Sequence, residues 1–441
     1  MRRLIDDSLD AWAGSTRRKP LILRGARQVG KTYSVLELGR RSGMDVVTVN
    51  LERNPDWGRA FEGNLDVRRI VSELAVLSGR RIVPGATLLF LDEVQACPNA
   101  LSALRYFHEE IPDLHVVAAG SLLDFALSDV SVPVGRVQFL EMRPMSFLET
   151  LMAAGNDAAV EVVSGPPRAV PDTVHRFLLD EVRRYCFVGG MPEAVKAFVA
   201  TRSMHDAFDV HSELCQSYRA DFAKYAKRAN TRCLDQVLDA VAQRVGTQIH
   251  YAGLAPDFTG PTAKNAFDLL CKARVIRKVP SCDPSGLPLG ASARQDRFKA
   301  IFVDIGLWQH LSGMKVAAEY SRQDLLSVYR GAMAEQFVGQ EMLVSQGGDL
   351  YYWAREARGS SAEVDYVAVV DGAIRAVEVK SGAAGSLRSL HLLLRTIPSV
   401  AGGLVFQSGA LSELPQQKLR FLPLYFAASG TAPAATQEFL P

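Results

Sequence analysis

The stretch GARQVGKT, residues 25–32, constrains the fold of this chain more than any other part of its sequence. It follows an apolar, strand-like run at residues 20–23 and precedes a helix-like run at residues 33–38. A glycine-rich turn between a strand and a helix presents backbone N–H groups and a helix N-terminus to phosphate oxygens. In this pattern Lys31 adds a positive charge, and the Thr32 hydroxyl is a ligand for Mg²⁺. The pattern predicts a nucleoside-triphosphate site, with an ordinary glycine turn as the alternative. The predicted binding residues are Gly25, Ala26, Arg27, Gln28, Val29, Gly30, Lys31 and Thr32.

Length and composition bound the class of protein. The chain has 441 residues, and a single domain usually takes about 100 to 200, so we expect several domains. Hydrophobic residues make up 48% and charged residues 22%, which is typical of a soluble globular protein. The formal net charge of +2 does not by itself predict a nucleic-acid partner. We expect no membrane span and no signal peptide, and therefore a cytoplasmic location. We also expect all six cysteines to be reduced, because no C-x-x-C pair occurs.

Residues 1–160 alternate strand-like and helix-like runs, which predicts an α/β fold with a mainly parallel sheet. Within them, TLLFLDE at residues 87–93 reads as a strand that is buried on both faces and ends in two acids. Asp92 is predicted to hold Mg²⁺ together with Thr32. Glu93 is predicted to polarise the attacking water, which is the role of a general base in hydrolysis.

Two further polar residues follow in this part of the chain. Ser121 ends the strand-like run at residues 115–121, where it can contact the γ phosphate or position water; a strand-ending turn at Gly120 is the alternative. Arg136 precedes another strand-like run at residues 137–141. An arginine there can serve as a finger that reaches the γ phosphate of a neighbouring subunit, or it can be an exposed loop residue.

Taken in order, GARQVGKT, LLFLDEVQ, AAGS and the GR before a strand resemble the AAA-type ATPases of prokaryotes. More narrowly, they resemble a poorly characterised group whose C-terminal half is related to PD-(D/E)XK nucleases, and the resemblance covers nearly the whole chain. It implies binding and hydrolysis of ATP with Mg²⁺, a sensor role for Ser121, and Arg136 as the finger. A finger in turn implies a homo-oligomer such as a ring.

The segment FVGGMPE, residues 187–193, is similar to a turn with which related ATPases contact the adenine side from a helical lid. By that resemblance Pro192 belongs to the nucleotide site, whereas the residues alone require only a tight turn between helices. Residues 153–173 read as a loop, and residues 161–232 are predicted to form the lid. Basic and aromatic residues there either touch a nucleic-acid backbone or form a solvated helix face. They are Tyr218, Arg219, Lys224, Tyr225, Lys227 and Arg228.

Residues 233–313 predict a winged-helix module. Two helix-like runs are followed by two strand-like runs, VIRKVP and FKAIFVD, joined by a loop at residues 281–295 that resembles a wing. Lys264, Asn265 and Lys272 lie outside the apolar stripe of the second helix, where they can approach DNA. Winged helices also serve as packing or dimer modules, which is the alternative.

The last region, residues 314–441, carries a second constellation of polar residues. The Asp-Gly pair at residues 371–372 between two β-rich runs predicts a two-residue hairpin turn. With that turn, Asp365 faces Glu378 and Glu363 faces Lys380, and all four lie on one side of the hairpin.

Two carboxylates directly opposite repel each other, and a divalent cation removes that objection. The D…E-x-K spacing, with Glu335 in a helix-like run ahead of it, resembles the site of PD-(D/E)XK nucleases, although Val364 stands where the family name has proline. By that resemblance Asp365 and Glu378 hold the metal, Lys380 activates water, and Glu335 supports the metal from the helix. The alternative is a cross-strand ladder of ion pairs on a solvated face.

These expectations combine into one architecture: a P-loop AAA-type core at residues 1–160, a helical lid at 161–232, a winged-helix module at 233–313, and an α/β nuclease-like domain at 314–441. The corresponding function is an ATP-dependent DNA-binding and DNA-processing ATPase, a motor or clamp on duplex or branched DNA. Whether it also has metal-dependent nuclease activity stays open. The alternative is an ATP-controlled switch or assembly protein whose nuclease-like domain is inert.

Overall fold

The computed structural model describes residues 1–129, 135–225, 229–313, 328–357, 360–380 and 386–432. The chain divides into two units. The first contains Met1–Pro144 together with Lys272–Arg274, and the second contains Met145–Cys271 together with Val275–Pro441. All six cysteines are free thiols, as the sequence predicts. Among the described residues, no helix combines the length and the apolar character that a membrane crossing requires.

A five-stranded sheet forms the centre of the first unit, with the strand order β2-β3-β4-β1-β5. Its strands pair in parallel, so the predicted α/β fold with a parallel sheet is confirmed. Strands β3 and β4 are buried at every position, because helices can cover both faces of a parallel sheet. The strands are β1 (Leu21–Arg24), β2 (Asp45–Asn50), β3 (Thr87–Asp92), β4 (His115–Ala119) and β5 (Gln138–Glu141).

The helices of the first unit begin and end at residues that suit those positions. The side chain of Asp66 accepts hydrogen bonds from the N–H groups of Arg68 and Arg69 and so caps α3. Gly79 ends the same helix in a left-handed conformation with φ 66°. The helices are α1 (Ile5–Gly14), α2 (Lys31–Ser42), α3 (Val67–Ser78), α4 (Pro98–Glu110) and α5 (Leu123–Asp129).

Helices dominate the chain from residue 145 onward. The prediction of a loop over residues 153–173 is wrong in part, because α7 lies inside it. The side chain of Asn156 caps this helix by accepting a hydrogen bond from the N–H of Ala159, and Ala159 and Val163 are its buried residues. The helices are α6 (Phe147–Ala153), α7 (Asp157–Ser164), α8 (Asp172–Val188), α9 (Pro192–Thr201), α10 (Met204–Asp221), α11 (Thr231–Ala242), α12 (Gly260–Lys272), α13 (Ile305–Leu311), α14 (Val328–Gln346) and α15 (Arg388–Thr396).

A mixed sheet of eight strands forms the centre of the second unit, in the order β12-β13-β11-β10-β9-β8-β6-β7. Strands β10, β11 and β13 run parallel, and the β9–β10, β8–β9 and β6–β7 pairs are antiparallel. The strands are β6 (Ile276–Ser281), β7 (Arg294–Phe302), β8 (Tyr351–Ala357), β9 (Ser360–Val370), β10 (Ala373–Val379), β11 (Val400–Gln407), β12 (Ser412–Leu414) and β13 (Leu419–Pro423).

The β6–β7 hairpin, which the sequence predicts as the wing, continues this sheet. Ser281 pairs with Tyr352 of β8, and the N–H of Cys282 donates to the Tyr352 carbonyl at 2.8 Å. The boundary predicted between residues 313 and 314 therefore separates strands that one sheet joins. The two helices α11 and α12 precede the hairpin as predicted, and the winged-helix assignment itself stays a prediction.

The β9–β10 hairpin has the predicted register. Ala373 pairs with Val370 and Val377 with Tyr366, in an antiparallel ladder without a shift between them. Both turn residues have positive φ, 52° at Asp371 and 71° at Gly372, as a type I′ turn requires. The turn thus fixes which residues of the two strands lie side by side.

Candidate functional site

The loop after β1 wraps around the ammonium group of Lys31. Lys31 Nζ donates to the carbonyl oxygens of Gly25 at 3.0 Å and Ala26 at 2.8 Å. Gly25 and Gly30 have φ of 153° and 98°, values that favour glycine, and a Cβ on Gly25 would lie 2.2 Å from the Met142 carbonyl oxygen. Burial lowers the pKa of Lys31 to about 8, although nearby Glu93 and Asp92 oppose this shift. The loop therefore holds a buried cation at the start of α2.

Asp92 ends β3 next to the first turn of α2. The Thr32 hydroxyl donates to Asp92 Oδ2 at 3.4 Å, and Asn50 Nδ2 donates to the same oxygen at 3.2 Å. Burial raises the pKa of Asp92, and the adjacent Glu93 adds to this effect. A hydroxyl and a carboxylate side by side are the oxygen ligands that Mg²⁺ takes. The residues present therefore fit a magnesium ion held by Thr32 and Asp92.

Glu93 accepts three hydrogen bonds on one carboxylate oxygen. Gln95 Nε2 donates to Oε2 at 2.6 Å, and the N–H and hydroxyl of Ser121 each donate at 3.2 Å. Burial alone raises the pKa of Glu93, but these hydrogen bonds and Lys31 outweigh it and lower the pKa overall. Glu93 also has a left-handed backbone with φ 49°, a conformation that is uncommon for non-glycine residues and recurs at active sites. The carboxylate is thus ionised and fixed in direction.

Arg136 lies at the amino end of β5, the strand next to β1. It precedes β5, which runs parallel to β1, with Gln138 beside Leu21. Its guanidinium is half exposed, and Nε donates to Glu109 Oε1 at 2.9 Å. Arg105 Nε donates to the same oxygen at 3.1 Å. The loop at residues 25–32 follows the carboxyl end of β1, so the structure does not bring Arg136 together with it.

The glycine pair before Pro192 packs within the second unit. Gly190 N–H donates to Asp304 Oδ2 at 2.5 Å, and a Cβ on Gly190 would lie 1.9 Å from the Met145 carbonyl oxygen. Gly189 has φ 68° and also lies against Asp304. Pro192 occupies the first turn of α9. The backbone of this turn is used for packing in the second unit, and a contact of Pro192 with adenine stays a prediction.

The carboxylates of the β9–β10 hairpin meet a lysine from outside the predicted constellation. Lys299 of β7 is 1% exposed. Its Nζ lies 2.9 Å from Glu335 Oε1, 2.5 Å from Glu363 Oε1 and 3.5 Å from Asp365 Oδ1. Burial lowers the pKa of Lys299, but the three carboxylates outweigh it and raise the pKa well above its ordinary range. Burial raises the pKa of Glu335 to about 8, against the opposing effect of Lys299.

Asp365 and Glu378, the two predicted metal ligands, adjoin this cluster, and Asp365 belongs to it through its contact with Lys299. Asp365 Oδ2 accepts the N–H of Val379 at 2.8 Å, and Lys380 Nζ donates to Glu378 Oε1 at 2.6 Å. Burial, and then Asp365, raise the pKa of Glu378 to about 7. In the described part of the chain, the buried Glu378 Oε2 has no hydrogen-bond partner. A buried, unpaired carboxylate oxygen beside a second carboxylate fits one divalent cation held by Asp365 and Glu378.

The residues predicted to approach DNA divide into two groups. Lys264, Asn265 and Lys272 of α12 are exposed, outside the buried stripe of the helix. Tyr218 is buried, and Arg219 forms ion pairs with Asp235 and Asp239, so neither presents a free polar surface. Residues 227 and 228 of the same predicted surface lie outside the described part of the chain.

Three parts of the sequence match known families of protein domains. The sequence model of the AAA domain matches residues 17–151, which include the phosphate loop, Asp92, Glu93, Ser121 and Arg136. Residues 17–151 are an AAA-type P-loop ATPase domain. Two further families match other parts of the chain, and both are described as domains of unknown function: DUF8612 over residues 179–318 and DUF4143 over residues 330–426. A search of curated proteins gave no match.

Several solved structures resemble the chain at low identity. A Walker-type ATPase of Pyrococcus abyssi is 14% identical, with a TM-score of 0.43, over 70% of this chain and 95% of its own. The Orc1 protein of Aeropyrum pernix, solved in complex with DNA, is 13% identical, with a TM-score of 0.30, over 73% of this chain and 95% of its own. The Thermotoga maritima RuvB Holliday junction branch migration motor is 15% identical, with a TM-score of 0.28, over 63% of this chain and 89% of its own. These values carry no argument about activity.

The first unit contains polar residues that the sequence did not predict. Asn50 contacts Asp92, and Gln95 contacts Glu93. Asn50 ends β2 and Gln95 follows β3, so both lie at the carboxyl end of a strand, where nucleotide-binding residues are expected. Arg274 has no such signal. It follows α12 with φ 59°, and its guanidinium donates to Asp124 at 2.6 Å and to Glu141. Burial is the main cause of the lowered pKa of Lys31, and the positive charge of Arg274 adds to it, so Arg274 is a further cation near the phosphate loop.

Proposed function

We propose that this chain is an ATP-dependent DNA-binding and DNA-processing ATPase, a motor or clamp on duplex or branched DNA, which works as a homo-oligomer. The observation that carries the proposal is the grouping of Lys31, Thr32, Asp92 and Glu93 at the carboxyl ends of β1 and β3. Binding, metal coordination and water activation, the three requirements of ATP hydrolysis, each have a residue there.

The hydrolysis step follows from these positions. Lys31 and the loop N–H groups bind the β and γ phosphates. When Mg²⁺ is bound, it neutralises charge on the phosphate oxygens. Glu93 accepts a proton from water as the water oxygen bonds to the γ phosphorus, while the bond from that phosphorus to the bridging oxygen breaks and ADP leaves. Ser121 and Gln95 keep the Glu93 carboxylate in one direction.

Arg136 is proposed to act on the site of a neighbouring copy. Arg136 precedes β5, so it lies at the amino ends of the strands, whereas its own phosphate loop follows the carboxyl end of β1. The four residues of β5 span roughly 13 Å, at about 3.3 Å each. A half-exposed guanidinium at that end of the sheet is accessible to another molecule. An arginine finger supplied in this way contributes about 10³ to 10⁵ in turnover.

DNA is proposed as the partner on two grounds. Lys264 and Asn265 are exposed side by side on α12, where a phosphate backbone can approach them. Asp365, Glu378 and Lys380 have the residue types of a nuclease site, Lys380 contacts Glu378, and one Glu378 oxygen is without a hydrogen-bond partner in the described part of the chain. These features support binding of a phosphodiester backbone by the second unit.

A second candidate function is the ATP-controlled switch with an inert nuclease-like region. One observation favours it: Lys299 forms ion pairs with Glu335 and Glu363, so the Glu335 carboxylate binds an ammonium group instead of a metal ion. In that case ATP binding would control assembly, and the carboxylate cluster would only stabilise the fold.

The test measures ATP turnover of wild type and variants against protein concentration. Glu93→Gln should bind ATP but lose about 10² to 10⁴ in turnover. Lys31→Ala and Arg136→Ala should each be inactive alone, and mixing the two should restore turnover, because one chain supplies the intact site and the other the finger. Arg105→Ala is the matched control, since Arg105 shares Glu109 with Arg136 but should leave turnover unchanged. Mixed chains that stay inactive would rule out a shared site.

The DNA part is tested on the same preparations. Turnover and gel shifts are measured with duplex, forked and four-way DNA, and cleavage is followed with Mg²⁺ or Mn²⁺. DNA-stimulated turnover with cleavage that is lost in Asp365→Asn and in Lys380→Ala supports the first function. Binding without cleavage leaves a motor or clamp, and neither binding nor stimulation supports the switch.

A further inference from the structure

Lys299 is a buried cation whose partners all come from the nuclease-like cluster. It extends from β7 and contacts Glu335 of α14 and Glu363 and Asp365 of β9. A buried ammonium group is unfavourable unless carboxylates surround it. These contacts join the hairpin β6–β7, the helix α14 and the hairpin β9–β10 through one charge.

The formal charges of the cluster leave room for one more cation. Four carboxylates, Glu335, Glu363, Asp365 and Glu378, face two ammonium groups, Lys299 and Lys380, so the formal charge is −2 when all six groups are ionised, as they are once a cation is bound. The carboxylates divide between two places. Glu335 and Glu363 form the two shorter ion pairs with Lys299, and Asp365 Oδ1 lies farther from its Nζ, at 3.5 Å. Glu378 Oε2 is buried without a hydrogen-bond partner in the described part of the chain.

We propose that Lys299 is a resident counter-ion that limits this cluster to a single divalent cation, held by Asp365 and Glu378. The Lys299 ammonium takes the place on Glu335 and Glu363 that a second cation would otherwise take. Glu335 is then a positioning residue for Lys299 rather than a metal ligand. This inference deepens the C-terminal site of the proposed function and rests on its metal assignment.

The alternative uses of Lys299 lead to different metal counts. If Lys299 neutralised the whole cluster, as an inert site requires, the wild-type chain would bind no ion there. If Lys299 were displaced on binding, the cluster would take two ions. One ion is the count that the proposed division of the carboxylates gives.

The experiment counts Mn²⁺ bound to the full, nucleotide-free chain from the electron paramagnetic resonance signal of free Mn²⁺. The count for the cluster is the difference between wild type and Asp365→Asn/Glu378→Gln, because any ion at the ATPase site is common to both. We expect a difference of one ion. A difference of zero or of two overturns the proposal, and this arm does not depend on any change at Lys299.

A second arm changes the counter-ion itself. Lys299→Met should bind one Mn²⁺ more than wild type and gain a larger rise in melting temperature from Mn²⁺, whereas Lys299→Arg should match wild type. Lys278→Met is the control for losing a lysine in the same hairpin, because Lys278 contacts Tyr251 and a carbonyl rather than a carboxylate. An unchanged Mn²⁺ count in folded Lys299→Met contradicts the proposal.

If Lys299→Met does not fold, a double variant tests the same proposal. Lys299→Met/Glu335→Gln removes one charge of each sign and keeps the formal charge at −2, so it should fold and bind one ion. If it binds two, the count does not follow the charge and the proposal is wrong. Loss of ATP turnover or of DNA binding would remove the proposed function without changing any of these metal counts.

Discussion

A buried carboxyl group in the second unit makes the stability of the protein depend on pH. Glu341 of α14 is 2% exposed, and its Oε1 accepts the N–H of Phe147, the first residue of α6, at 3.0 Å. Burial raises the pKa of Glu341 from 4.5 to about 8; the Phe147 N–H opposes this shift and Glu149 adds to it. Glu341 therefore stays protonated in the folded protein at pH values where it is ionised in the unfolded chain.

The sign and size of the effect follow from linkage. The contribution is fully present below pH 4.5 and is lost as the pH rises to about 8, because the folded state binds a proton that the unfolded state has released. Each pH unit in this range changes the free energy of unfolding by about 1.4 kcal/mol. Between pH 5 and pH 8 the ionisation of Glu341 thus costs about 4 kcal/mol of stability.

The perturbation is Glu341→Gln, which keeps an oxygen for the Phe147 N–H and cannot ionise. We expect the variant and wild type to unfold at similar urea concentrations at pH 5, and the variant to be more stable by about 4 kcal/mol at pH 8. Tryptophan fluorescence follows the unfolding, with Trp308 and Trp353 buried in the second unit. Glu193→Gln, at an exposed carboxylate of α9, is the control. Parallel pH profiles for Glu341→Gln and wild type would show that Glu341 does not release a proton on unfolding in this pH range.

Two further predictions concern the glycine turn and Arg274. Gly190→Ala should lower the free energy of unfolding by about 3 kcal/mol or more in urea denaturation, because its Cβ would overlap a carbonyl oxygen; Gly286→Ala, with open space around it, should stay within about 0.5 kcal/mol. Equal stability of the two variants would contradict this. Arg274→Ala should weaken ATP binding about tenfold in titrations with a fluorescent analogue, because Asp124 and Glu141 would each lose one cationic partner and leave more negative charge near the phosphate loop, while Arg274→Lys should lose less. An unchanged dissociation constant would show that Arg274 has no electrostatic effect on the nucleotide.

The sequence predicts the parts of the site that depend on neighbours along the chain. The phosphate loop is legible because Gly25, Gly30 and Lys31 must follow one another between a strand and a helix. The register of the β9–β10 hairpin is legible because a two-residue turn sets it locally. In each case the physical requirement spans fewer than about ten residues.

The contacts that the sequence does not reveal link distant segments. Lys299 reads as one polar residue in an apolar strand, and Arg274 as a basic residue after a helix. Their partners lie 36 residues away at Glu335 and 150 residues away at Asp124. Only the tertiary fold brings these charges together, so no local pattern marks either residue. The short helix α7 was missed for another reason, because the glycines and prolines around it predict a loop.

The sheet of the second unit bears on how the chain can be recombined in evolution. A gene fragment that ends at Gly313 keeps β6 and β7 but loses β8, which pairs with β6. The remaining fragment keeps Glu335, Glu363 and Asp365 without the lysine that neutralises them. One piece then carries an open strand edge and the other an uncompensated buried charge. Each piece alone should therefore be less stable than the intact chain, and exchange of one piece between proteins should require compensating changes in the other.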